Sequence, residues 1–321
     1  MTTVKTRKGK HLLLTECIRR RVESKRSMGK DSTADLYQAA GHRFLEFLGE
    51  KDIYLSEITP TQVSDFQSYL QAKNLRINTI NSYTSSLRAI FNSVLNDHPF
   101  KMGKHPFLHL KLKRDVTVRQ PLTSAGIEKI ATTDFSHDPR LAFRADLSLF
   151  SFMAFGMPFV DMIHLKKSNI QGRDIVYNRH KTGIQIRMQI TPGMWHIIRK
   201  YRNDGEYLFP VISKPVTHSQ YKGMLAAYNK ALKTIGKLLK IHPNLTSYVM
   251  RRSWAAEAQR RHVSVSVIGK GMGHTSEKTT RYYLGQLDQS ELNKANRAIT
   301  KSINLLLVKN VKGGTGKSAY L

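Results

Sequence analysis

One cysteine, Cys17, stands in a chain of 321 residues. That leaves no partner for an internal disulfide and no set for a multi-cysteine metal site, and it fits a reducing cytoplasm. No apolar run approaches ~18 residues, so a membrane-spanning helix is not expected. The opening stretch, MTTVKTRKGKHLLLTEC, has basic residues and three leucines. It lacks a longer apolar segment with a small-residue cleavage site, so it does not read as a secretory signal.

Acid is scarce as well. The 23 Asp+Glu face 52 Lys+Arg, a formal net charge of +29. Residues 1–114 carry 20 basic against 10 acidic side chains, and residues 115–321 carry 32 against 13. The excess therefore runs through both halves instead of sitting in one basic tail. A polyanion touched by both halves accounts for it, and nucleic acid is the usual one. No carboxylate or Cys/His grouping has the spacing of a metal site, so neither a metal nor any other cofactor is expected.

Helical spacing fills residues 10–114. STADLYQAAGHRFLEFLGE opens on a Ser/Thr pair at 32–33 that is suited to a cap, and repeats Leu36, Ala39, Phe44, Leu45 and Leu48. TPTQVSDFQSYLQAK puts Pro60 in a first turn, with Val63, Phe66, Tyr69 and Leu70 on one face. TINSYTSSLRAIFNSVL does likewise with Ile80, Tyr83, Leu87, Ile90, Phe91 and Val94. The other face of that helix carries short polar groups and Arg88, open to two readings: phosphate contacts or plain solvation. Residues 97–121 are irregular, basic and hold Pro99, Pro106 and Pro121, so they read as a linker, with a domain boundary near residue 116.

The second half reads as mostly helical with one strand patch. LAFRADLSLFSFMAFGM is apolar nearly all round and predicts a central core helix. In RDIVYNRHKTGIQIRMQIT the period changes to two, with Ile175 and Tyr177, then Ile184, Ile186 and Met188, around HKTG. That is a β-hairpin with Lys181 at its tip. Helices are expected near 191–203, 218–239, 246–261 and 288–306.

Three stretches carry the chemistry. TSYVMRRSWAAE places Arg251 and Arg252 mid-helix beside packing residues, where a buried guanidinium needs an anion. HKTG offers a lysine on a flexible stem. GMGHTSEKTTRYYL supplies His274 at a helix start, then threonines, then Tyr282 and Tyr283. Cations to hold a phosphate and a hydroxyl to attack it suit phosphoryl transfer without metal. Each piece alone is weak, and a Tyr-Tyr pair on a surface helix is as easily a packing device.

Together these stretches and GMPFVDMIHLKKSNI resemble the tyrosine recombinase (phage integrase) family along essentially the whole chain. The subtype is similar to short integrases and invertases of bacterial conjugative elements and phase-variable regions. The resemblance implies a mainly α fold. Residues 1–115 would be an all-helical, SAM-like core DNA-binding domain ending in the basic linker. Residues 116–310 would be an α+β catalytic domain with a small antiparallel sheet, and 311–321 a flexible tail. It implies a site-specific recombinase working through a 3′-phosphotyrosyl intermediate, with duplex DNA as partner. It further implies a tetramer on DNA, a cytoplasmic location, and room for host DNA-bending proteins. In the family pattern the nucleophile lies nine residues after the histidine, which is Tyr283 and not Tyr282. Arg251 matches an arginine that clamps the phosphate, Lys181 the lysine that protonates the leaving 5′-oxygen, and His274 a hydrogen-bonding partner of the same phosphate. The apolar spacing of Leu292, Ala295, Ala298, Ile299, Ile303 and Leu306 gives a C-terminal helix expected to dock on a neighbouring protomer, with packing on its own domain as the rival reading.

Two positions depart from the family pattern. The first arginine is expected before Gly156-Met157, and Phe155 stands there. Losing such a donor typically costs ~10²–10³ in rate, although some relatives lack it and still recombine. Arg252, Lys166 and Lys167 are the nearby cations available to replace it. Tyr248 stands where many members have histidine, either as a phosphate donor or as a packing residue. Asp161 is expected to support the active-site arginine or a helix end. A second class of function stays open: a catalytically impaired DNA-binding relative acting as accessory or regulator. The tail KGGTGKS is no P-loop, because the pattern needs glycine where Val311 stands.

Overall fold

The computed structural model describes residues 12–97, 120–242 and 244–284, with 99, 104–108, 110, 112 and 115 between the first two stretches. Of residues 282–284 it describes the backbone only. The expected C-terminal helix at 288–306 and the tail at 311–321 lie outside the described residues. The chain divides into two compact units, Met1–Thr117 and Val118–Leu321.

The first unit is helical: α1 Leu14–Ser27, α2 Asp31–Phe47, α3 Pro60–Ala72 and α4 Ile77–Asp97. Thr59 starts α3 with a reciprocal cap: its hydroxyl accepts from Gln62 N at 3.2 Å, and the Gln62 side chain accepts from Thr59 N at 2.8 Å. Pro60 follows, where its missing N–H costs nothing. At α2 the expectation was off, since the helix begins at Asp31, ahead of the Ser32–Thr33 pair that was to cap it. The apolar stripes of α1 to α4 meet in one core, in which Phe44 and Phe66 pack edge to face at 5.0 Å. The polar stripe of α4 is only partly a surface. Asn81, Thr84 and Ser86 are buried, and the hydroxyls of Thr84 and Ser86 turn back onto carbonyls four residues earlier, at 2.8 and 2.7 Å.

The second unit is built round α6 (Pro139–Met153), capped by Asp138 and packed against α5 (Ser124–Thr132), α8 (Pro192–Lys200), α9 (His218–Leu238) and α10 (Ser247–Arg260). Its Leu147 and Phe150 are fully buried with Ile163, Ile175, Met194, Tyr228, Ile235, Val249 and Met250. Each such side chain contributes about 1.5–3 kcal/mol. A short α7 (Phe159–Ile163) leads into a three-stranded antiparallel sheet ordered β1 (Ile170–Gln171), β2 (Asp174–Asn178), β3 (Gln185–Gln189). In the β2–β3 register Tyr177 faces Ile186 and Ile175 faces Met188, so the alternation read from the sequence becomes the buried face of the sheet. The chain continues through α11 (Val265–Met272) and α12 (Glu277–Leu284). No described helix is long and apolar enough to cross a membrane.

Candidate active site

Arg251 sits in the middle of α10 and is 3% exposed, because Val249, Met250, Ser253 and Ala255 bury the helix around it. Its Nη1 donates to the Gly156 carbonyl at 2.9 Å, and its Nη2 to the Met272 carbonyl at 2.6 Å and to Nε2 of His274 at 3.1 Å. These three acceptors are neutral, and the guanidinium lies in a protected place.

A second guanidinium converges on the same carbonyl. Arg179, in the turn after β2, is 7% exposed and donates from Nη1 to Met272 O at 2.6 Å and to Gly273 O at 3.3 Å. Its Nε donates to Asp161 Oδ2 at 3.2 Å, and Asp161 Oδ1 accepts from His180 N at 2.9 Å. Asp161 therefore does support an arginine, but the arginine is Arg179. Gly273 makes this possible: its φ is +63, and a Cβ there would collide with the Arg179 side chain. The sequence reading began its motif at His180 and missed Arg179. The signal was present, because Ile175 and Tyr177 face inward and the same period of two brings Arg179 in after them.

His274 lies in the loop between α11 and α12 and not at a helix start as expected; its N donates to Gly269 O at 2.9 Å. Nδ1 is 2.9 Å from Thr280 Oγ1. Burial, then the charges of Arg251, Arg179 and Lys181, pull its pKa down to about 4. The ring is therefore neutral at physiological pH. Lys181 is exposed in the β2–β3 turn, one residue past the backbone N–H held by Asp161. The next residue, Thr182, ties that turn to the Gly273 carbonyl at 3.4 Å.

The remaining sequence candidates separate clearly. Tyr248 is 48% exposed, which removes core packing as its role, and it precedes Arg251 by three residues on the same helical face. Burial first, with Tyr248 and Asp161 nearby, pushes the Tyr221 phenol up to about 12. Phe155 packs its ring on Trp254, 5.3 Å between centroids, and has a left-handed φ of 56. Of the suggested replacements, Lys166 pairs with Glu206 at 2.6 Å and Lys167 donates to the Asn203 carbonyl. Arg252 is turned about 100° round α10 from Arg251. Tyr282 and Tyr283 lie on α12, where the description covers the backbone alone.

Arg251, Arg179, His274 and Lys181 thus gather at the Met272–Gly273 turn. A pocket of about 740 Å³, with Ile127, Phe135, Leu149 and Ile197 in its lining, contains none of them. That cavity lies elsewhere in the same unit.

Comparison with known proteins agrees with this architecture. The model for the phage integrase SAM-like domain matches residues 13–106, and that for the phage integrase family matches residues 129–290. A tyrosine recombinase of Thermosipho africanus (strain TCF52B) is 21% identical over 277 residues, covering 81% of this chain and 91% of the relative. Among solved structures, a lambda integrase dimer bound to a COC′ core site superposes with a TM-score of 0.65 at 16% identity, covering 86% of this chain and 79% of that one. The Tn1549 transposon integrase in complex with transposon right end DNA gives 0.64 at 14% identity, covering 91% and 100%. A lambda integrase tetramer bound to a Holliday junction gives 0.65 at 16% identity, covering 87% and 80%. At these identities the structural likeness shows a shared fold, a mainly helical chain with one small antiparallel sheet.

Proposed function

The chain belongs to the phage integrase family, the tyrosine recombinases, and on that premise we propose that it cuts and rejoins duplex DNA at specific sites through Tyr283. The observation that carries the reading is the convergence of two buried guanidiniums and a neutral imidazole on the Met272–Gly273 turn. Such a site is preorganised for the negative charge that builds on a phosphorane. In the forward step the Tyr283 oxygen bonds to phosphorus and gives its proton to solvent water, while the bond to the 5′-oxygen breaks. Lys181 gives that oxygen a proton, a transfer worth ~10²–10⁴ in rate. The 3′-phosphotyrosyl link conserves the phosphodiester's energy, and a 5′-hydroxyl of another strand reverses the step without ATP. Arg251 holds the non-bridging oxygens with a planar fork. Arg179 supplies the second positive charge that Phe155 does not, and Tyr248 and His274 are further donors to the phosphate.

The DNA bound in lambda and Tn1549 integrase structures, and the lambda tetramer on a Holliday junction, support duplex DNA as partner and a tetramer as the working assembly. Residues 290–306, with their helical apolar spacing, would then dock on a neighbouring copy. Removing residues after 290 would abolish pairing of two DNA sites more than binding to one. Host DNA-bending proteins fit the same reading as accessory partners.

A nicked suicide substrate tests the reaction. The 5′-product diffuses away, so a covalent protein–DNA complex accumulates, and it should do so in EDTA and be absent from Tyr283→Phe. A strict Mg²⁺ requirement for cleavage would overturn the tyrosine mechanism. A second reading, a DNA-binding relative that no longer cuts, is favoured by Phe155 with its ring on Trp254. Binding without trapping, with trapping restored by Phe155→Arg, would establish it.

A further inference from the structure

On the side away from Arg251 the catalytic histidine meets the hydroxyl of Thr280, and this contact carries an inference that rests on the phosphoryl-transfer reading above. Arg251 Nη2 can only donate, so His274 Nε2 accepts its bond at 3.1 Å. A neutral imidazole has one N–H. That proton therefore sits on Nδ1 and is donated to Thr280 Oγ1, 2.9 Å away. Thr280 is completely buried. A Cβ at Gly269 would lie 2.8 Å from its hydroxyl oxygen, so the absence of a side chain on α11 opens the slot the hydroxyl occupies. Thr280 also precedes Tyr283 by three residues on α12, about one helical turn of backbone.

We propose that Thr280 is a positioning residue: it fixes the orientation of His274, partners Nδ1 in either tautomer, and couples that ring to the seating of the helix that carries Tyr283. The hydroxyl suits both states of the cycle. Without DNA, Thr280 accepts from Nδ1–H while Nε2 accepts from Arg251. When a phosphate enters, the guanidinium turns to its oxygens, and Nε2 can bond the same phosphate only as a donor. Solvent water takes the Nδ1 proton and returns one to Nε2, so the ring changes tautomer with no change in net charge. The Thr280 hydroxyl rotates about Cβ–Oγ and donates to the bare Nδ1. A hydroxyl can reverse its role in this way; a carboxylate would instead fix Nδ1–H, and an apolar side chain would satisfy neither state. Burial first keeps the ring neutral at rest, and the charged groups facing it add to this: Arg251 from α10, and Arg179 and Lys181 from the β2–β3 turn.

Two variants of opposite shape test this. Thr280→Val keeps the volume and removes the hydroxyl, whereas Thr280→Ser keeps the hydroxyl and removes a methyl. Covalent trapping on a nicked substrate should slow roughly 10- to 100-fold in the valine variant, a loss in the range seen when a ligand-orienting partner is removed. It should stay within about threefold of the parent in the serine variant. Trapping that is unchanged in Thr280→Val, or lost as fully in Thr280→Ser, overturns the proposal, because a residue that only fills the slot would tolerate valine better than serine. The ¹⁵N spectrum of His274 in the DNA-free protein supplies an arm that needs no cleavage. The parent and Thr280→Ser should show a hydrogen-bonded Nδ1–H, and Thr280→Val an Nδ1–H whose shift has lost that bond, since Arg251 still holds Nε2 as an acceptor. The same Nδ1–H shift in all three contradicts the proposal even if the parent traps no DNA, whereas a parent that fails to trap contradicts the recombinase reading alone.

Discussion

The two units share a strongly basic composition but treat their charges differently. Among the described residues, the first unit buries an amide and two hydroxyls, Asn81, Thr84 and Ser86, and no charged side chain. The second buries Asp161, Arg179 and Arg251 within one site. In the first unit many charges pair on the surface at one-turn spacing: Arg19 and Arg20 with Glu16, and Arg43 with Glu46. Exposed pairs of that kind contribute about 0–1 kcal/mol and are screened by salt. Burying a charge costs several kcal/mol unless it is partnered, so a unit that keeps three in place retains them for a task. The comparison teaches that net charge locates affinity for a polyanion, while buried charge locates chemistry.

The largest expected break in that comparison is Arg251→Ala. It removes the guanidinium with the deepest burial in the cluster and should lower the trapping rate by ~10²–10³. Arg251→Lys should rescue little, because an ammonium cannot span Gly156 O, Met272 O and the phosphate together. Single-turnover trapping with DNA in excess measures both, and near-parental rates in the lysine variant would count against a bidentate clamp.

Arg179→Met comes next. It strands the Asp161 carboxylate, which should destabilise the protein by about 3–5 kcal/mol in chemical denaturation. Adding Asp161→Asn should recover much of the stability, while trapping stays low in both. If the double variant regained parental trapping, Arg179 would be scaffolding alone.

Much of this was legible in the sequence, and what was not has physical causes. The stripes of α3, α4, α6, α8, α9 and α10 were readable because burial on one face imposes a 3.6 period, and the hairpin because it imposes two. Arg251 and His274 were singled out by the resemblance to the family pattern, and the structure brings them to 3.1 Å. Arg179 escaped because an inward-facing arginine becomes visible only when its carboxylate is known, and Asp161 lies 18 residues away in sequence. Thr280 escaped because its role depends on a slot made by Gly269, which no periodicity reports. The left-handed turn at Phe155–Gly156 is likewise a tertiary fact, set by packing on Trp254 and by the bond from Arg251 to Gly156 O.

A smaller effect concerns acid. The folded pKa of His274, about 4, lies below the unfolded value near ~6.5. As pH falls through that window the unfolded chain takes up a proton that the folded chain refuses, so stability is lost between about 6.5 and 4. A His274→Gln variant should show a flatter melting-temperature profile over that range. An equally steep profile would place the acid sensitivity elsewhere. At the bottom of the scale, Glu16→Gln in the first unit breaks its pairs with Arg19 and Arg20 and should leave the denaturation midpoint near the parental one. A loss of stability as large as that of Arg179→Met would undo the contrast between the two units.

The central claim is that the buried cations of the second unit serve one nucleophile, and the most direct measurement is the chemical identity of the trapped adduct. The parent protein is trapped on a nicked duplex in EDTA and digested, and the nucleotide-bearing peptide is sequenced by mass spectrometry. The account predicts a phosphodiester on Tyr283, with Tyr282 unmodified. An adduct on Tyr282, or DNA bound at full affinity with no adduct in either the parent or Phe155→Arg, would contradict it.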